Sequence, residues 1–135
     1  MIKLITGKKG TGKTKILIDM INEATKKTNG NIVCIEKGAK LTYDIDHSVR
    51  LTDTEEFGID GYDAFYGFVA GMIAGNFDIS EIFVDSILKI GGRDFDELGK
   101  LFEKLDKVSG KDVTIVFTVS ADISEMTDNV KAFIN

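Results

Sequence analysis

The stretch Gly7-Lys8-Lys9-Gly10-Thr11-Gly12-Lys13-Thr14 constrains the fold more than any other part of this chain. It follows a short apolar run, Ile2-Lys3-Leu4-Ile5-Thr6, and leads into Lys15-Ile16-Leu17-Ile18-Asp19-Met20-Ile21, where apolar residues recur at helical spacing. A strand, a glycine-rich loop and a helix are therefore predicted in that order. The G-x-x-x-x-G-K-[ST] spacing has a physical reason. Several backbone N–H groups can be aimed at one anion only where the chain turns without hindrance from Cβ atoms, and Gly7, Gly10 and Gly12 supply that curvature. The helix N-terminus adds its partial positive charge. The spacing predicts a phosphate-binding loop built from Gly7, Lys8, Lys9, Gly10, Thr11, Gly12, Lys13 and Thr14. In it Lys13 reaches the outer phosphates and the Thr14 hydroxyl enters the shell of a Mg²⁺ ion.

The rest of the composition narrows the class. At 135 residues, 43% of them hydrophobic, the chain is expected to form one domain, 1–135, with a substantial core. Its net charge is −5 and its basic residues cluster only at Lys8-Lys9 and Lys26-Lys27, which argues against a non-specific nucleic-acid binder. Neither a membrane span nor an export signal is visible, and Cys34 has no second cysteine to pair with, so a cytoplasmic protein is expected. His47 is the only histidine and has no cysteine near it, which predicts an exposed loop residue rather than a metal ligand.

Taken in order, a helix over Lys13 to Lys27 is expected to bury Ile16, Leu17, Met20, Ile21 and Ala24. The run Ile32-Val33-Cys34-Ile35 is apolar on both faces, as in a covered strand, and ends in Glu36. Residues 37–47 are polar and predict a loop, with a short extended piece at Leu41-Thr42-Tyr43, before an edge strand over Val49 to Thr52. Asp60 is an acidic N-cap for a helix reaching Gly75, with Tyr62, Phe65, Tyr66, Val69, Met72 and Ile73 inward. Gly67, Gly71 and Gly75 form a second stripe, suited to tight packing on a sheet or to a dimer face. A strand from Ile79 ends in Asp85, a helix spans Asp94 to Val108, and a strand from Val113 to Val119 is followed by Ser120. Asp122-Ile123-Ser124-Glu125 predicts the cap of a last helix running to Asn135. Alternating strands and helices predict a three-layer α/β/α sandwich with a mainly parallel sheet. Gly7, Glu36, Asp85 and Ser120 would then share the ligand-binding edge at the strand C-termini.

On the glycine loop and the later strand ending in an aspartate, the chain resembles the P-loop NTPase superfamily. Glu36 after the second strand, Asp85-Ser86 after the fourth and Ser120 after the last make it similar to the RecA-like branch, in which an additional strand separates the loop strand from the aspartate strand. As a whole it also resembles small bacterial ATP-binding proteins. The resemblance implies ATP and Mg²⁺ as ligands, with Thr14 and Asp85 holding the metal, Lys13 and Glu36 catalytic, and Ser120 sensing the γ-phosphate. It implies slow or partner-stimulated ATP hydrolysis, and the alternative is a nucleotide-binding switch or adaptor that does not hydrolyse. A small-molecule kinase is a third reading, weakened because Arg50 and Arg93 are the only arginines available to clamp a phosphoryl group. Lys8 stands where some dimeric ATPases of the superfamily keep a lysine that acts across the interface, or it is a solvated loop residue. ATP against GTP, and a homo-oligomer against another protein partner, stay open.

Overall fold

Strands that carry apolar side chains on both faces are stable only when each side of the sheet is covered. In the computed structural model, which describes residues 1–41 and 44–134, five strands form one sheet. They are β1 (Ile2–Gly7), β2 (Asn31–Glu36), β3 (Arg50–Asp53), β4 (Ile79–Val84) and β5 (Thr114–Ser120), with α1 (Lys13–Lys27), α2 (Tyr62–Gly75), α3 (Ile87–Gly91), α4 (Phe95–Ser109) and α5 (Asp128–Lys131) between and after them. The strand order is β1-β5-β4-β2-β3 and every pairing is parallel. All strand C-termini consequently point to one edge.

Side-chain alternation divides the core into two. Ile32, Cys34, Phe83 and Val116 face Leu17, Ile21 and Ala24 of α1, and Leu41, Ile45 and Val49 of the β2–β3 connection complete that cluster. Val33, Ile35, Ile82, Val84, Ile115 and Phe117 face the other way, against the helices α2 to α5. The architecture is a three-layer α/β/α sandwich. In the larger cluster the Phe117 ring lies 4.8 Å from Phe102 and 6.2 Å from Phe65. Helix α4 buries Leu98, Leu101, Phe102 and Leu105, each contributing roughly 1.5–3 kcal/mol. Its start is fixed by Asp94, whose carboxylate accepts the Glu97 N–H at 3.1 Å.

Several local expectations are corrected. Helix α2 is entered through Gly61 at φ 86, with no side-chain cap, so Asp60 is not its N-cap. Gly67, Gly71 and Gly75 are exposed, and a Cβ built on any of them meets nothing within 4 Å, which removes the sheet-packing alternative for this stripe but not the dimer face. The helix turns its larger residues Tyr62, Phe65 and Val69 inward instead, which buries more apolar area than a glycine face would. Ile16 of α1 is 47% exposed rather than buried. The capping box of Asp122 and Glu125 closes a single 3₁₀ turn, Ile123–Glu125, while α5 is only four residues long and starts after Thr127. Of the extended piece expected at Leu41-Thr42-Tyr43, Thr42 and Tyr43 lie outside the described residues, as does Asn135, the expected end of the last helix. His47 is exposed, as expected. Among the described residues no helix is long and apolar enough to cross a membrane.

Cys34, on β2, lies in the cluster beneath α1 with no exposed surface. Burial, followed by the neighbouring charges of Glu36 and Asp85, pushes its thiol from 9.0 up to about 12. An acid whose folded pKa is raised stabilises the fold below its unfolded pKa and loses that contribution as pH rises towards the folded one. Native protein should therefore resist iodoacetamide at pH 8 and be labelled in urea, and urea midpoints should fall between pH 9 and 12 in wild type more than in Cys34→Ala. Rapid labelling of the folded protein would contradict this.

Candidate functional site

Strand β1 ends at Gly7, which stands opposite Ser120 in the β1–β5 register. The loop beyond it turns through Gly10 and Gly12, both at φ 84, a left-handed conformation that L side chains rarely adopt. A single carbonyl draws the loop closed: Lys8 O accepts the Thr11 hydroxyl at 2.7 Å and the Lys13 ammonium at 2.8 Å. Lys13 also donates to Thr11 Oγ1 at 3.3 Å. It is 6% exposed, so it is not the surface lysine its charge suggests. Burial lowers its pKa and the Asp85 carboxylate opposes that shift. Helix α1 begins here with no side-chain cap and no acid in its first turn.

On the neighbouring side, Asp85 follows β4 and is almost fully buried. Its Oδ1 accepts the Thr118 hydroxyl at 2.7 Å, and its two oxygens lie 3.2 and 3.3 Å from the Thr14 hydroxyl, which donates to them. The chain then turns sharply at Ser86, φ 58, whose N–H donates to Thr118 Oγ1 at 2.6 Å. Thr14, Asp85, Thr118 and Ser86 thus form one connected polar chain from α1 through β4 to β5. Between it and the glycine loop opens a cavity of about 560 Å³, lined by Lys9, Gly10, Gly12, Lys13, Thr14, Ser86, Leu88, Lys89, Arg93, Thr118 and Ser120. The charged residues of this lining, Lys9, Lys13, Lys89 and Arg93, are all cationic.

The structure brings Lys9, Gly10, Gly12, Lys13, Thr14 and Ser120 together around the cavity, with Gly7 and Thr11 shaping the loop and Asp85 behind the two threonines. Lys8 contributes its carbonyl and is otherwise exposed. Glu36 is not in the lining. It is 4% exposed, and its two carboxylate oxygens accept the backbone N–H groups of Lys40 at 3.1 Å and Leu41 at 3.0 Å. Burial raises its pKa, those two N–H groups pull it down, and the charges of Asp85 and Asp53 raise it again, with a net upward shift. The sequence marks none of Thr118, Lys89 and Arg93 as lining this site, and Arg93 stands out there only as one of two arginines. For Thr118 the signal was one polar residue inside an apolar strand. For Lys89 and Arg93 it was absent, because the five-residue helix α3 that places them is too short to show a period.

Compared with protein-family models and with curated proteins, the chain matches none of either.

The polar chain yields a stability prediction. Thr118→Val keeps the shape but removes the shortest donor to the buried Asp85, leaving it only the longer contacts from Thr14, and takes away the acceptor of the part-buried Ser86 N–H. It should cost roughly 1–3 kcal/mol by urea denaturation. Thr14→Val should cost less, since its hydroxyl is part-buried and its contacts are longer. Equal stability of Thr118→Val and wild type would mean that the chain contributes nothing.

Proposed function

We propose that this cavity binds a nucleoside triphosphate, ATP in the first instance, together with Mg²⁺, and that hydrolysis is slow unless a partner assists it. The observation that carries the reading is convergence: four cationic side chains, a left-handed glycine loop and an uncapped helix N-terminus meet in one cavity, on a protein whose net charge is −5. That set suits a polyanion whose negative charge sits on oxygen. A strand order in which β5 lies between β1 and β4 supports the RecA-like, additional-strand likeness.

The metal fits the donors present. The Thr14 hydroxyl and Asp85 carboxylate are hard oxygen donors side by side, and Mg²⁺ ordinarily takes one or two such groups and fills its shell with phosphate oxygens and water. Among the described residues there is no cluster of three or more His, Cys, Asp or Glu side chains suited to a metal, and such an ion needs none. When bound, Mg²⁺ would neutralise charge on the outer phosphates. Lys13, now held by the Lys8 carbonyl and the Thr11 hydroxyl, would exchange those acceptors for phosphate oxygens. Ser120, which lines the cavity, would sense the γ-phosphate.

Hydrolysis needs a base for the attacking water, and Glu36 is the candidate. It belongs to β2, next to β4, and so lies on the same sheet edge as Asp85. Both of its oxygens are occupied by the 40–41 backbone, which supports slow unaided turnover and favours the second reading, a switch or adaptor that binds without hydrolysing. A kinase gains nothing here, since Arg50 lies on the edge strand β3 and only Arg93 reaches the cavity.

Two measurements test the reading. Lys13→Ala should abolish Mg·ATP binding by calorimetry while circular dichroism keeps its native form; a wild type that binds neither ATP nor GTP at millimolar concentration would end the proposal. Glu36→Gln should retain affinity and lose roughly 10²–10⁴-fold in single-turnover hydrolysis with enzyme in excess. A rate equal to a measurable wild-type rate would remove Glu36 from catalysis and leave the switch in front.

A further inference from the structure

Arg93 is held at the cavity by weak partners. One guanidinium nitrogen donates to the Ser120 carbonyl at 3.3 Å and the other to Glu125 Oε1 at 3.0 Å, and the Phe95 ring lies 5.6 Å below. Side-chain exposure is 54% for Arg93 and 47% for Glu125, and an ion pair so open to solvent contributes little and is easily exchanged. The position is less casual than the pairing. Ser120 stands opposite Gly7, where the glycine loop begins, and Thr118, two residues earlier on the same strand, holds the carboxylate that touches Thr14. Arg93 therefore reaches the cavity from the β5 side, and it shares that lining with Lys13 and Thr14, where the outer phosphates of a bound nucleotide would lie. A planar guanidinium with unused N–H donors matches two phosphate oxygens at once.

Resting on the reading of this cavity as a nucleoside-triphosphate site, we infer that Arg93 is the residue that distinguishes triphosphate from diphosphate, leaving Glu125 to grip the terminal phosphate. Glu125 is also one half of the capping box, its Oε2 accepting the Asp122 N–H at 2.9 Å. Departure of Arg93 leaves that box without its outer cation, so the state of the nucleotide is passed to the 122–125 turn that follows β5.

The test compares Mg·ATP with Mg·ADP by calorimetry on the whole protein. Wild type should prefer ATP. Arg93→Ala should lose about 10- to 100-fold in ATP affinity, the size of a charge-assisted hydrogen bond or two, with ADP affinity changing less than about threefold. Arg93→Lys should fail to restore the preference, because an ammonium lacks the two-pronged geometry. Glu125→Gln, which leaves the arginine in place, should keep it. A readout independent of turnover comes from the side-chain N–H resonances of arginine, since the chain has only Arg50 and Arg93. The Arg93 signal, assigned with Arg50→Lys, should move with ATP and stay near its free position with ADP. Equal losses for ATP and ADP in Arg93→Ala would put the arginine on a part shared by both nucleotides and overturn the inference, as would no loss at all. Failure of wild type to bind either nucleotide would instead bring down the reading of the site itself.

Discussion

A carboxylate withdrawn from water must be met by donors, and the donors at Asp85 come from separate parts of the chain. Thr118 reaches it from β5 and Thr14 from the first turn of α1, while its own N–H donates to Ile35 O of β2 at 2.9 Å. Burying this group alone would cost several kcal/mol, so the surrounding strands and helix are held to positions that satisfy it. The left-handed Ser86 belongs to the same arrangement. A non-glycine residue in that region costs about 1–3 kcal/mol, and the hydrogen bond from its N–H to Thr118 offsets part of this. The sharp turn also starts α3, which carries Leu88 and Lys89 to the cavity.

The features readable from sequence were those with a period or a steric necessity. Strands such as Ile32–Ile35 announce themselves because both faces are apolar, and α1 does so through Leu17, Ile21 and Ala24. The glycine loop could be read residue by residue because φ 84 at Gly10 and Gly12 is a demand on residue type. The helix over 62–75 was also legible, but its entry was not: Asp60 looks like a cap, and the chain instead enters through Gly61, whose N–H donates to the Ile90 carbonyl of α3 at 3.0 Å. That contact is tertiary and leaves no local trace. Arg93 was hidden for the same reason, since its place depends on where α3 ends and on Ser120 more than twenty residues later.

Placing Glu36 at a strand end was a matter of period, but the direction of its carboxylate was not. Its neighbours across the sheet edge, Asp85 and Asp53, repel a third negative charge, and the two N–H groups of Lys40 and Leu41 attract it. The side chain has turned to the donors. A general base must be free and within hydrogen-bond reach of its water, so releasing Glu36 means moving the 40–41 segment. Leu41 is 4% exposed and packs in the cluster beneath α1, which ties that movement to apolar packing on the face covered by α1, the helix that follows the glycine loop. On the ATPase reading, turnover is therefore limited by how readily the β2–β3 connection lets go. A partner that accelerates it must then supply other contacts for Leu41 and other acceptors for the two N–H groups that Glu36 now satisfies.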